Sequence, residues 1–131
     1  MNRTCLEFVT EEGERVIQAW LNEMNPSTRE KVEAAIDNTV RYLEVERNPR
    51  RPYTGALTGK DAEGLYEIRF KINGVQYRPL FFYGPESREF TLLAGAVEKG
   101  GEFKPKSVLF VAQRRRQLAM QDRRYVCEYF G

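Results

Sequence analysis

Residues 65–83 read LYEIRFKINGVQYRPLFFY. Two runs rich in aromatic and β-branched residues flank Asn73-Gly74. That pair suits a two-residue type I′ turn, because both central positions need φ > 0. The turn sets a register in which Ile72 faces Val75, Lys71 faces Gln76, Phe70 faces Tyr77 and Arg69 faces Arg78. Side chains alternate between the faces of a strand. One face of the hairpin therefore carries Tyr66, Ile68, Phe70, Ile72, Val75, Tyr77 and Phe81; the other carries Glu67, Arg69, Lys71, Gln76 and Arg78. The first is a core face. The second holds two arginines and a lysine, and like charges directly opposite each other destabilise a strand pair. An anion would relieve them, and a phosphate backbone is the obvious one. Ion pairing with Glu67 or other carboxylates, or splaying into solvent, is the alternative. Pro79 stands opposite Ile68, where the ladder calls for a backbone N–H that proline lacks. This predicts a bulge or an edge there.

On the C-terminal side, residues 84–87 (GPES) make a turn and residues 90–97 (FTLLAGAV) form an apolar run expected to be a buried strand. Residues 98–102 (EKGGE) break it. Pro105 suits a first helical position, and Val108, Leu109, Val111, Ala112, Leu118 and Ala119 supply an apolar helical stripe through Met120. Arg115 falls on that stripe, where its stem can lie along apolar surface. The tail, residues 122–131, is aromatic and basic and reads as an added strand or a partner-docking segment.

On the N-terminal side, residues 5–9 (CLEFV) alternate as a short strand. Thr10 is expected to cap a helix carrying Glu11, Glu12 and Glu14 in its first turn and Val16, Ile17, Trp20, Leu21 and Met24 on its apolar face. Asn25-Pro26 ends it. Ser27 and Glu30 read as a capping box for a second helix with apolar face Val32, Ala35, Ile36, Val40 and Leu43. Residues 47–64, with two prolines and three glycines, read as a solvated loop, from which Arg50 and Arg51 could alternatively touch a phosphate. The order strand, two helices, three antiparallel strands, helix describes an α+β domain with one sheet.

Composition narrows the chemistry. At 131 residues the chain holds one core rather than two, and no apolar run reaches the ~20 residues of a membrane span. With no apolar leader segment either, a cytoplasmic protein is expected. Cys5 and Cys127 lack metal-ligand spacing and are expected to be reduced, although they could pair if the termini meet. Residues 1–65 hold 9 basic and 12 acidic side chains (−3); residues 66–131 hold 12 basic and 7 acidic (+5), giving the net +2. The basic half is the half built on strands, which suggests a polyanion surface. There is no histidine. That removes the commonest general acid and base, Ser-His and Cys-His nucleophile systems, and nearly every catalytic zinc site. Any catalysis must use Arg, Lys, Glu, Asp and Tyr, and neither a metal nor a cofactor is expected.

Five segments together carry a family resemblance: GLYEIR (64–69), YRPLFFY (77–83), LLAGAVEK (92–99), KP (104–105) and SVLFVAQRR (107–115). In this combination the chain resembles the phage-derived Gp49-like group of the RelE/HigB toxin superfamily. The resemblance implies a small RelE-like α+β domain over residues 1–131. Its antiparallel sheet of three to four strands would carry an N-terminal helix pair on one face and a C-terminal helix, with 121–131 as an extra tail. It implies the toxin of a type II toxin–antitoxin pair, a ribosome-dependent mRNA endonuclease that activates the ribose 2′-OH against the adjacent phosphate without a metal. The implied partners are mRNA on the ribosome and a cognate helix-turn-helix antitoxin, with no membrane. Carried over by position, Arg69 and Arg78 match the strand arginines, and Lys99 and Lys104 match the basic residues after the last strand. Glu67 joins them as a candidate base on the arginine face, and Lys71, Gln76, Arg50 and Arg51 as RNA contacts on an open sheet face. Two positions depart from the pattern. Glu98-Lys99 stands where two adjacent lysines are usual, and Leu109 where RelE has a functional tyrosine, for which Tyr129 in the tail is the candidate substitute. These departures favour an alternative, a non-catalytic phage or mobile-element protein of the same fold that binds RNA or a protein partner.

Overall fold

The computed structural model describes residues 2–49 and 53–130. In chain order the elements are β1 (Thr4–Phe8), α1 (Val16–Asn22), α2 (Pro26–Val45), β2 (Thr54–Ala56), β3 (Tyr66–Ile68), β4 (Phe70–Ile72), β5 (Val75–Tyr77), β6 (Leu80–Tyr83), β7 (Glu89–Ala94), β8 (Val97–Lys99), β9 (Glu102–Lys104), α3 (Val108–Gln121) and β10 (Val126–Glu128). A single 3-10 turn, Lys60–Ala62, precedes β3, and another, Arg123–Tyr125, precedes β10.

The hairpin forms as its turn residues dictate. Asn73 and Gly74 adopt φ of 51° and 81°, and Phe70, Lys71 and Ile72 pair with Tyr77, Gln76 and Val75. The same count continues below it, where Glu67 pairs with Leu80 and Tyr66 with Phe81. Register therefore carries straight past Pro79. The bulge expected at the proline is absent: the Ile68 N–H donates to the Pro79 carbonyl at 2.8 Å, and only the return bond is missing. The irregularity lies one strand over, between β6 and β7 at Leu80/Phe81.

The α+β architecture is as expected, and the sheet is larger. Six strands run in the order β10-β1-β7-β6-β3-β2, and the hairpin arms extend into a four-stranded ladder, β4-β5-β8-β9. β1 runs parallel to β7, and the remaining pairings are antiparallel. β2 lies in the segment read as a loop; three residues, Thr-Gly-Ala, are too few for periodicity to show. The tail is an added strand, with Cys127 opposite Glu7 at the sheet edge. Cys5 and Cys127 are both free thiols.

Helices α1 and α2 cover one face of the sheet and α3 the other. On the first face, Phe70 stacks on Tyr77 and Trp20 meets Tyr77 edge-on. A Cβ on Gly95 would lie 1.9 Å from the Trp20 ring, so glycine is what admits the indole. On the second face, the Arg116 guanidinium of α3 lies over Phe82. Arg115 reaches along Phe8 to donate to the Leu93 carbonyl at 2.8 Å, so its stem does follow apolar surface.

Helix starts differ from the local reading. Thr10 closes a turn with Glu14 (Glu14 N–H to Thr10 Oγ1, 3.0 Å), and α1 begins five residues later than a Thr10 cap would put it. Its cap comes from another element. The carboxylate of Glu7 on β1, fully buried, accepts the N–H groups of Ile17 at 2.8 Å and Gln18 at 3.0 Å, and pairs with Arg15 at 2.9 Å. That satisfies two of the amides every helix start leaves unpaired. At α2 the cap is Asn25, whose Oδ1 accepts the Thr28 N–H at 2.9 Å with Pro26 in the first turn, so the Ser27–Glu30 box does not form the start. Pro105 precedes α3 rather than opening it; its carbonyl accepts the Val108 N–H at 3.1 Å.

Candidate functional site

Counting from the turn, Arg69 and Arg78 stand opposite each other where the two arms pass from one ladder to the other. Their N–H groups point outward, Arg69 to the Tyr53 carbonyl at 2.8 Å and Arg78 to the Ala96 carbonyl at 2.7 Å. Outward N–H groups mark a non-hydrogen-bonded pair, in which opposing side chains come closest. Two guanidinium groups on one face at that separation need a counter-charge, and Glu67 supplies it. Its Oε2 accepts from Arg69 Nε at 2.5 Å, and its Oε1 lies 3.8 Å from Arg78 Nε.

Arg78 is 8% exposed and Glu67 4%. The rest of the Arg78 guanidinium is held by its own strand: Nη1 donates to the Tyr77 carbonyl at 2.9 Å, and Nη2 makes a short bond to Gln76 Oε1. A second carboxylate, Glu98 on β8, approaches Arg78 Nε to 3.4 Å from the solvent side. Neither carboxylate completes a hydrogen bond with that Nε, which is buried and has no hydrogen-bond acceptor. Glu98 is on this face because β8 pairs with β5: Lys71, Gln76, Glu98 and Phe103 form one row of directly opposed residues across β4-β5-β8-β9.

The face is a cleft rather than an open sheet. A groove of about 270 Å³ is walled by Leu57 and Thr58 after β2, Gly101 and Phe103 of the β8–β9 hairpin, and Leu109 of α3, with Glu67, Arg69 and Glu98 on its floor and rim. Gly55 of β2 lies beneath Arg69; a Cβ there would sit 3.1 Å from Nη2, so the glycine lets the guanidinium lie flat across the strand.

Of the residues singled out in the sequence, Glu67, Arg69, Arg78 and Gln76 come together here. Lys71 is exposed on the same face at the end of the row. Lys99 and Lys104 do not join them. Lys104 is opposite Val97, and Val97 opposite Tyr77, so the register puts both lysines on the α1/α2 side of the ladder. Lys104 pairs there with Glu102 at 3.8 Å. Arg50 and Arg51 lie outside the described residues. Leu109 lines the cleft at the helix position noted above, and Tyr129 does not replace a tyrosine there. It is buried on the α2 side, and its hydroxyl donates to Asp37 at 2.7 Å. The residue that sequence reasoning missed is Glu98. Alternation along β8 alone could not assign its face, because that needs the β5–β8 register.

Two guanidinium groups and two carboxylates make the cluster close to neutral as it stands. Rigid strands on both sides preorganise the cations, so an anion that displaced a carboxylate would meet donors needing no reorganisation. Among the described residues, no group of three or more cysteines, aspartates or glutamates comes together as metal ligands do, and no helix is long and apolar enough to cross a membrane.

The family model described as phage derived protein Gp49-like (DUF891) matches residues 19–117. The match runs from within α1 through most of α3 and takes in every cleft residue; β1 and β10 fall outside it. No curated protein matches the chain, and no solved structure does.

Proposed function

Since the chain belongs to the phage-derived Gp49-like family, we propose that it is a toxin of the RelE/HigB kind, a ribosome-dependent mRNA endonuclease neutralised by a helix-turn-helix antitoxin. The observation that supports this reading most is the Arg69–Arg78 pair, opposed across the hairpin and bridged by Glu67, beside a solvent-open cleft that Arg69, Glu67 and Glu98 line. The scissile phosphate would enter above it. Arg78, anchored to Tyr77 and Gln76, stabilises the dianionic phosphorane through its Nε, which has no hydrogen-bond acceptor at rest, and Arg69 orients the phosphate. Attack by the ribose 2′-oxygen leaves a 2′,3′-cyclic or 3′-phosphate end. Guanidinium donors fixed before the charge develops contribute more than donors that must rearrange. Lys99 and Lys104, on the opposite face of the ladder, take no part in this reading.

One observation favours the alternative of a non-catalytic RNA or protein binder. Both arginines already have carboxylate partners, and no lysine joins them in the cleft. Primer extension on translated mRNA, in bacterial cells expressing the chain alone, separates the two readings. Ribosome-linked cuts are expected with the wild type, reduced about a hundredfold or more by Arg78→Ala, as for loss of one oxyanion donor. A folded, soluble wild type that gives no cut decides for the binder.

A further inference from the structure

Glu98 sits where nothing in the motif pattern prepares for a carboxylate. It faces the cleft from β8, opposite Gln76, with Oε1 3.4 Å from Arg78 Nε. The two cleft carboxylates are not equivalent. Glu67 has a side chain only 6% exposed and is tied to Arg69 at 2.5 Å. Glu98 has a side chain 35% exposed, and Arg78 is its one cationic partner among the described ion pairs. Arg78 Nε between them is buried yet lacks a hydrogen-bond acceptor, so the contact with Glu98 is a charge contact without the directional bond that would lock it. Glu98 therefore occupies the position an incoming phosphate oxygen would take, and it is the carboxylate free to give it up.

We propose that Glu98 is a latch on Arg78 and, once displaced, the general base of the reaction. This rests on the reading of the chain as a ribonuclease. A phosphate oxygen takes over Arg78 Nε, and like charge pushes the Glu98 carboxylate aside, toward the ribose on the cleft rim. Glu98 then accepts the 2′-OH proton as the 2′-oxygen bonds to phosphorus and the P–O5′ bond breaks. The 5′-oxygen takes a proton from water, and the products are a 2′,3′-cyclic phosphate and a 5′-hydroxyl. Glu67 stays bound to Arg69 throughout and serves as a positioning residue. The resting cleft is thus self-neutralised and becomes active only with RNA in place.

The latch and base roles push two measurements in opposite directions when Glu98→Gln keeps the shape and removes the charge. Single-turnover cleavage of mRNA on programmed ribosomes should fall about a hundredfold or more, the ordinary worth of a positioned base. Affinity for the same mRNA with a 2′-deoxy scissile nucleotide, which cannot be cut, should hold or rise several-fold because nothing competes for Arg78. Glu98→Asp, which retains a carboxylate, should recover part of the cleavage. Glu98→Gln cutting within threefold of the wild type, or losing affinity in step with cleavage, overturns the proposal while leaving the nuclease reading intact. A wild type that does not cut overturns both.

Discussion

Arg69 and Arg78 face each other across the hairpin, while their backbone N–H groups turn away, to Tyr53 on one side and Ala96 on the other. The same geometry does two things. It ties each arm of the hairpin to a different outer neighbour, which holds both arms in place where the two ladders meet. It also brings two guanidinium groups together on the side away from α1 and α2, with Glu67 between them. The hairpin's charge problem is solved internally, by one buried carboxylate shared between two cations.

That sharing makes the cluster's energetics testable. Arg78→Ala removes one of the two cations that compensate a buried carboxylate. A buried pair broken on one side costs about 3–5 kcal/mol, and since Glu67 keeps Arg69 the lower end, about 3 kcal/mol, is expected. Glu67→Gln with Arg78→Ala should cost less than the two single losses added, by about 1–3 kcal/mol of coupling. Urea unfolding of the four proteins measures the cycle; strict additivity would mean that the two groups do not share charge.

Phosphate contacts and bystander charges separate by salt. Arg69→Ala should weaken binding to unrelated RNA sequences about equally and lower the slope of log affinity against log salt by about one. Lys99→Ala, across the ladder, should leave cleavage within a few-fold of the wild type. Binding titrations from low to moderate salt check the first and single-turnover cleavage the second. A Lys99 variant as inactive as Arg78→Ala would put the lysine in the cleft after all.

Alkaline stability should depend on Tyr129. Burial, first, and then the hydrogen bond to the Asp37 carboxylate hold its phenol well above the ordinary value of 10.0. The fold thus favours the protonated form. The stabilisation is complete below pH 10 and is lost progressively as pH climbs above it. At neutral pH, Tyr129→Phe should cost about 2 kcal/mol, the worth of a hydrogen bond to a charged group. Above pH 10 the gap between variant and wild type should close. Unfolding in urea at pH 7 to 11 follows it; a gap that stays constant with pH would show the phenol uncoupled from folding.

Much of this protein is written locally. Asn73-Gly74 set the hairpin register because only a few residue types tolerate φ > 0 at two successive positions, and a two-residue turn leaves no slack. That register alone put Arg69 opposite Arg78 and both on the face away from Ile68, which is how the structure has them. The apolar positions of α2 at 32, 36, 40 and 43 were likewise legible, since helical period and burial coincide there. What the tertiary structure decided involves partners distant in sequence. The α1 start is set by Glu7 from β1, not by the nearby Thr10, because the two bonds from Ile17 and Gln18 become available only when β1 packs beneath the helix. Glu98 faces the arginines, and Lys99 does not, only because β8 enters the ladder one way round against β5, and a slip of one residue would exchange them. Turn torsions and helical period act within a few residues and so can be read from them. Cross-strand register and burial between distant segments depend on which surfaces the finished core removes from water, and short charged strands carry too little apolar pattern to announce that in advance.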